Sequence, residues 1–171
     1  FVLMTRAIEQ AGYVPGVDVY LGIDVASDEF YDAEQGGYFI DGALMQANDL
    51  AFRYKMWKDR YPLISIEDPF SQDAFDDWVK FTKTNGNALQ VVGDDLYATN
   101  ATRIKQGIIN RATNAVLIKP NQIGTLTETL QAIAISQEAG QNVVISHRSG
   151  ETEDTFIADL AVAVGAGQIK T

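Results

Sequence analysis

The chain contains no cysteine. Disulfides are therefore excluded, and so are thiolate metal sites. The absence suits a reducing compartment. No apolar run approaches the ~20 residues of a membrane span. No cationic stretch followed by an apolar segment marks a secretory signal. Positive charge is scarce: 13 Lys plus Arg face 23 Asp plus Glu, a formal net charge of −10. Such a surface repels nucleic acid and anionic lipid in the absence of local basic patches. The densest basic stretch, Arg53 to Arg60, is interleaved with Tyr54, Met56 and Trp57 and reads as one face of an amphipathic helix. No G-x-G-x-x-G follows an apolar run, which argues against a dinucleotide-binding fold. The single histidine is His147.

What is present is an ordinary globular composition. Of 171 residues, 46% are hydrophobic and 21% charged, enough for one sizeable core. The first residue is Phe1, and Phe1, Met4 and Ile8 share one face of a helical pattern, so the expectation is that the natural N-terminus lies upstream. Apolar runs of strand length recur, each ending in a polar or charged residue. VYLGID ends at Asp24, LISIED at Glu67 and Asp68, and LQVVGDD at Asp94 and Asp95. AVLIKPNQ reaches Lys119, NVVISHRS reaches His147, and GQIKT reaches Lys170. The runs are continuous, as in parallel strands buried on both faces.

Helical patterns lie between them, at Gly42 to Tyr61, around Phe75 to Phe81, and at Thr102 to Arg111, Leu126 to Ala139 and Phe156 to Val164. Gly86 and Gly140 stand where helices should end. The helix after Ser149 is expected to open with Glu151, Glu153 and Asp154 in or near its first turn, where carboxylates complement the positive end of the helix dipole.

The polar strand ends fall at 24, 67, 94, 119, 147 and 170, separated by 43, 27, 25, 28 and 23 residues. After the first, each step is one βα unit. The long first step holds DAEQGGYFIDG, expected as a hairpin or extended loop. Alternating βα units build either a doubly wound sheet or an eight-stranded barrel. A complete barrel takes about 250 residues. The expectation is therefore an α/β fold with six of eight barrel strands present and the first two missing.

In such barrels the active site lies at the C-terminal ends of the strands. Those ends supply Asp24, Glu67, Asp94, Lys119, His147 and Lys170. Three carboxylates from adjacent strands can furnish one face of the oxygen shell that Mg²⁺ requires. The plainer reading is that each acid caps a helix or shapes a turn, as in EDP at Glu67 to Pro69. Three in register, followed by a lysine, favour a site. Spacing alone does not choose between Asp94 and Asp95. Lys119 is either a snorkelling or ion-paired lysine or, near cations, an amine neutral enough to act as a base. Arg148 followed by Ser149 at a helix start combines a planar guanidinium, a hydroxyl and helix N–H groups, a set suited to phosphate.

Taken together, GIDVAS, SIEDPF, GDDLYATN, LIKPNQIGTLTET, SHRSGETEDTFIADLAV and GQIKT closely resemble the enolase family, in order and spacing, over essentially the whole chain. The resemblance implies a partial TIM-type (β/α)8 barrel, with residues 1–171 an incomplete C-terminal catalytic domain. The N-terminal domain, first barrel strands and extreme C-terminus would be absent. It implies a Mg²⁺-dependent hydro-lyase of glycolysis, converting 2-phosphoglycerate to phosphoenolpyruvate and water in the full-length protein. Asp24, Glu67 and Asp94 would be the metal ligands. Lys119 would be the base that removes the C2 proton, and Lys170 the second active-site lysine. His147, Arg148 and Ser149 would be substrate contacts, with Lys170, Glu67 and Asp94 also lining the substrate. Pro120 in LIKPNQ replaces an aliphatic residue common in the family. The family's general-acid glutamate and the serine loop that helps bind a second Mg²⁺ precede the matched region.

The resemblance further implies a homodimer or larger homo-oligomer in the cytoplasm, binding no nucleic acid. Two alternatives stand beside it. One is a different acid dehydratase of the wider superfamily, against which Arg148 and Ser149 argue. The other is a surface-displayed, plasminogen-binding role, which needs exposed lysines, whereas no lysine precedes Lys55.

Overall fold

The computed structural model describes residues 1–171. The chain runs through α1 (Val2–Gln10), β1 (Leu21–Asp24), β2 (Tyr31–Asp32), β3 (Gly37–Ile40), β4 (Ala43–Met45), α2 (Ala47–Arg60) and β5 (Leu63–Glu67). It continues with α3 (Phe75–Asn85), β6 (Gln90–Gly93), α4 (Ala101–Asn110), β7 (Ala115–Ile118), α5 (Pro120–Ile123) and α6 (Leu126–Glu138). It ends with β8 (Asn142–Ser146), α7 (Phe156–Ala163) and β9 (Gly167–Lys170). Six strands form one sheet in the order β1-β5-β6-β7-β8-β9, with every pairing parallel. Side chains from the two ends of this order meet across one face, as Lys170 on β9 does with Asp24 on β1. The sheet is therefore curled into a partial TIM barrel.

The two faces of the sheet are filled differently. Against the helices pack Ile66, Val91, Val116, Ile118, Val143 and Ile145, in one continuous core with Trp78, Phe81, Ile104 and Ile133. The concave face carries the alternate residues, as the period of two requires. It is layered. At its N-terminal end Gln90 and Gln168 exchange reciprocal amide bonds of 2.9 Å, and Gln90 also bonds Ser65 and Asn142. Val92, Ala115, Leu117 and Val144 form a small apolar layer. Above them stand the charged strand ends.

All six sequence-predicted strands are present. Two expectations are corrected. The helix expected from Gly42 begins only at Ala47, because Ala43–Met45 pairs with β3 in a three-stranded antiparallel sheet, β2-β3-β4, built from the segment expected as a hairpin or loop. A capping box between Gln46 and Asp49 starts α2. The helix expected to open just after Ser149 begins at Phe156. Glu151, Glu153 and Asp154 lie in the loop before it, where Asp154 accepts the Phe156 N–H at 2.8 Å. In α1, Phe1 and Ile8 pack on the core while Met4 is exposed. In α2, Tyr54 and Trp57 face inward while Met56 is exposed.

Candidate active site

The charged residues at the strand ends form two linked clusters. The Lys170 ammonium bonds Asp24 at 2.8 Å and Glu67 at 2.7 Å. The Lys119 ammonium bonds Asp94. Asp94 continues the parity of Gln90 and Val92 on the concave face, and Asp95 falls on the other. Glu67 and Asp94 are buried, and Asp24 is exposed. One oxygen of Asp94, Oδ1, is buried without a hydrogen-bond partner.

The electrostatics follow from burial. Glu67 is pushed up to about 7, chiefly by loss of solvent, with the charges of Asp24 and Asp94 adding and Lys170 opposing. For Lys170, burial acts to lower the amine, but the bonds and charges of Asp24 and Glu67 outweigh it and hold it above the usual lysine value.

The loops leaving the strands are rigidly specified. Of six non-glycine residues with positive φ, Ala26, Asp68, Ala98 and Thr99 lie just beyond the ends of β1, β5 and β6. Backbone strain concentrates where surroundings over-determine it, and here that is beside the three acids. The segment after Glu67 is nailed by aromatic donors and acceptors. Tyr54 donates to the Pro69 carbonyl at 2.9 Å, Trp78 donates to the Ser71 carbonyl at 3.0 Å, and the Tyr38 hydroxyl accepts the Ser71 N–H at 2.9 Å. Phe70 is buried among the rings of Tyr38, Tyr54, Trp78 and Phe81. The segment after Asp94 reaches Lys119: Thr99 Oγ1 accepts the Lys119 N–H at 2.9 Å and donates to Gln122 at 2.9 Å.

His147 is half-buried, and its N–H donates to the Lys170 carbonyl at 3.0 Å. It lines a cavity of about 480 Å³ with Asn121, Glu151, Asp154, Thr155 and Thr171. Asn121 bonds Glu151 across this cavity. Arg148 and Ser149 are exposed, with Ser149 in a turn closed by Gly150. They do not stand at a helix start, so the helix contribution expected for an anion site there is absent. What remains is the two exposed side chains themselves, neither of which lines the His147 cavity.

Sequence reasoning passed over Asp68 as a turn residue. In the structure Asp68, Asp94 and Asp95 are the three carboxylates whose oxygens lie within 4.8 Å of one another and could hold a metal ion. Both Asp68 oxygens already accept backbone N–H groups, from Asp94 at 2.9 Å and Asp95 at 2.8 Å. Burial raises Asp68 to about 8 and, together with the Asp94 charge, raises Asp95. The sequence-expected set, Asp24, Glu67 and Asp94, shares the rim but is divided between two lysines.

A curled parallel β/α sheet that brings acids and lysines from five strands to its C-terminal rim defines the class, a barrel-type enzyme domain with its chemistry at the strand ends. Residues 1–171 match, over their full length, the family described as enolase, C-terminal TIM barrel domain. The chain belongs to that family, and with it to the lyase-type enzymes of the enolase superfamily. No helix is long and apolar enough to cross a membrane.

Proposed function

We propose that this domain carries out the reversible dehydration of 2-phosphoglycerate to phosphoenolpyruvate and water, the glycolytic enolase reaction, as the catalytic part of a longer barrel whose further strands close the gap between β9 and β1. The observation that carries the reading is the rim itself, where Lys119 and Lys170 meet carboxylates from three adjacent strands. Asp24, Glu67 and Asp94 would hold Mg²⁺. Their hard oxygen donors suit that ion, and the unpartnered Asp94 Oδ1 is a buried acceptor awaiting a positive group. When bound, Mg²⁺ supplies Lewis-acid neutralisation of the charge on the substrate carboxylate.

The chain's own residues supply the rest. Lys119 Nζ takes the C2 proton, leaving the C–H electron pair on C2 for the double bond that forms as the C3 hydroxyl departs. An ammonium has no lone pair to offer, so Lys119 must first give up a proton, and leave its ion pair with Asp94, before it can take the one on C2. Lys170, held charged by Asp24 and Glu67, stabilises the negative charge that develops beside C2. His147, Arg148 and Ser149 receive the substrate, with the guanidinium on the phosphate. On this reading the protein works in the cytoplasm as a homodimer or larger homo-oligomer.

The test is hydrogen exchange at C2 of 2-phosphoglycerate in D₂O with Mg²⁺, using the full-length protein. Lys119→Ala should abolish both turnover and exchange. Exchange persisting near the wild-type rate would move the base elsewhere, with Lys170 next in line.

A further inference from the structure

We propose that Asp68 is a positioning residue that locks together the three strand ends carrying Asp24, Glu67 and Asp94, and thereby sets the rim's affinity for a divalent cation; this rests on the reading of the rim given above. Asp68 is 2% exposed and follows β5 directly. It precedes Pro69, a position normally confined to extended backbone, yet its φ is +43°. The conformation aims its polar groups at both neighbouring strands. Its carboxylate accepts the N–H groups of Asp94 and Asp95 at 2.9 and 2.8 Å. Its N–H donates to Val92 on β6 at 3.1 Å. Its carbonyl accepts from the Ser27 hydroxyl at 2.7 Å and the Ser27 N–H at 3.2 Å, at the start of a short 3-10 helix (Ser27–Phe30) after β1. The Val25 N–H donates to the Glu67 carbonyl at 2.9 Å between the same two strands.

One residue therefore grips the backbone on both sides of the strand end that bears Glu67. Two consecutive N–H groups held by one carboxylate fix not only where Asp94 sits but which way its side chain leaves the chain. Glycine would adopt the same φ freely but would lose this grip. Because both oxygens of Asp68 turn toward the Asp94–Asp95 backbone, its part is to place the ligands rather than to join them.

The experiment is calorimetric titration of Mg²⁺ into the substrate-free full-length protein, with thermal melts of the metal-free form. Asp68→Asn keeps the shape and one acceptor but presents an N–H₂ where a backbone N–H must be received. Its Kd for Mg²⁺ should rise about tenfold or more, the range expected when a group supporting a ligand is lost. The control is Asn114→Ala, just before β7, which braces the N-terminal end of β6, away from the rim. Asn114 accepts the Val91 N–H at 2.7 Å and donates to the Gly86 and Leu89 carbonyls at 2.9 Å. It should lower Tm while leaving Kd within about twofold, since local support of the rim is untouched. A Kd in Asp68→Asn that moves no more than in Asn114→Ala overturns the proposal. Should Asp68→Asn not fold, Ser27→Ala removes one link of the same lock and should raise Kd roughly fivefold, the worth of one hydrogen bond; an unchanged Kd there overturns it equally. Asp94→Ala separates the two layers of argument. A lost Mg²⁺ affinity there beside an unchanged one in Asp68→Asn overturns only the positioning role, whereas an unchanged affinity in Asp94→Ala overturns the reading of the rim and this proposal with it.

Discussion

Replacing Gly107 by alanine should destabilise the protein, although the same change in an ordinary helix interior stabilises by about 1 kcal/mol. Gly107 lies within α4, against the ring of Tyr97. A Cβ at 107 would stand 2.5 Å from Tyr97 Cε1 and Cζ, and closer still to its hydroxyl. The ring has no room to retreat. On its other edge a Cβ at Gly93 would come within 2.6 and 2.7 Å of Cε2 and Cδ2. The ring is fully buried, and its hydroxyl is paired with Thr113 at 2.7 Å. Overpacking of this kind costs about 1 to 3 kcal/mol. Parting the two buried hydroxyls costs about 1 to 3 kcal/mol more. Set against the gain in helix propensity, the net loss is roughly 1 to 5 kcal/mol.

A mid-range loss of about 3 kcal/mol lowers Tm by roughly 6 to 12 °C for a domain of this size. The consequence reaches the rim, because the Tyr97 and Ala98 N–H groups donate to the Asp94 carbonyl at 3.0 and 2.8 Å. Thermal melts of the wild type, Gly107→Ala and Gly107→Ala with Tyr97→Phe provide the check. The double variant, lacking the nearest atom, should recover part of the loss. A Tm for Gly107→Ala at or above the wild-type value would refute the reasoning.

Metal-free protein should lose stability as pH rises from about 4 to about 8. Burial raises Glu67 from 4.5 to about 7 and Asp68 from 3.8 to about 8. Across that window the folded state keeps protons that the unfolded chain has released, so the slope of unfolding free energy with pH is negative. Melts in a chelating buffer at pH 5 and pH 8 should give the lower Tm at pH 8; the reverse order would contradict the assignment. Arg148→Lys should raise KM for 2-phosphoglycerate roughly ten- to a hundredfold, since a point charge does not replace a planar fork. Steady-state kinetics showing wild-type kcat/KM would remove Arg148 from the phosphate.

The parallel strands were legible because both their faces are buried. Ala115–Ile118 and Asn142–Ser146 read as apolar runs with a polar end, and the residues proposed for function stand just past that end. Ala43, Leu44 and Met45 misled because all three favour helices locally, while pairing with Tyr38, Phe39 and Ile40 decides their state. The acids from Glu151 to Asp154 carry the composition of a first helical turn but serve the loop and its cap. Asp68 was hidden for a different reason. An acid before proline has the signature of a turn, and nothing in the sequence shows that its oxygens reach the N–H groups of Asp94 and Asp95, 26 and 27 residues away.

The ties of Lys170 to Asp24 and Glu67 span 146 and 103 residues. Contacts of such separation carry a large loop-closure entropy. One ammonium thus ties the first strand of the sheet order to the last. Any uncurling that parts β9 from β1 leaves Asp24 and Glu67 side by side with no lysine between them.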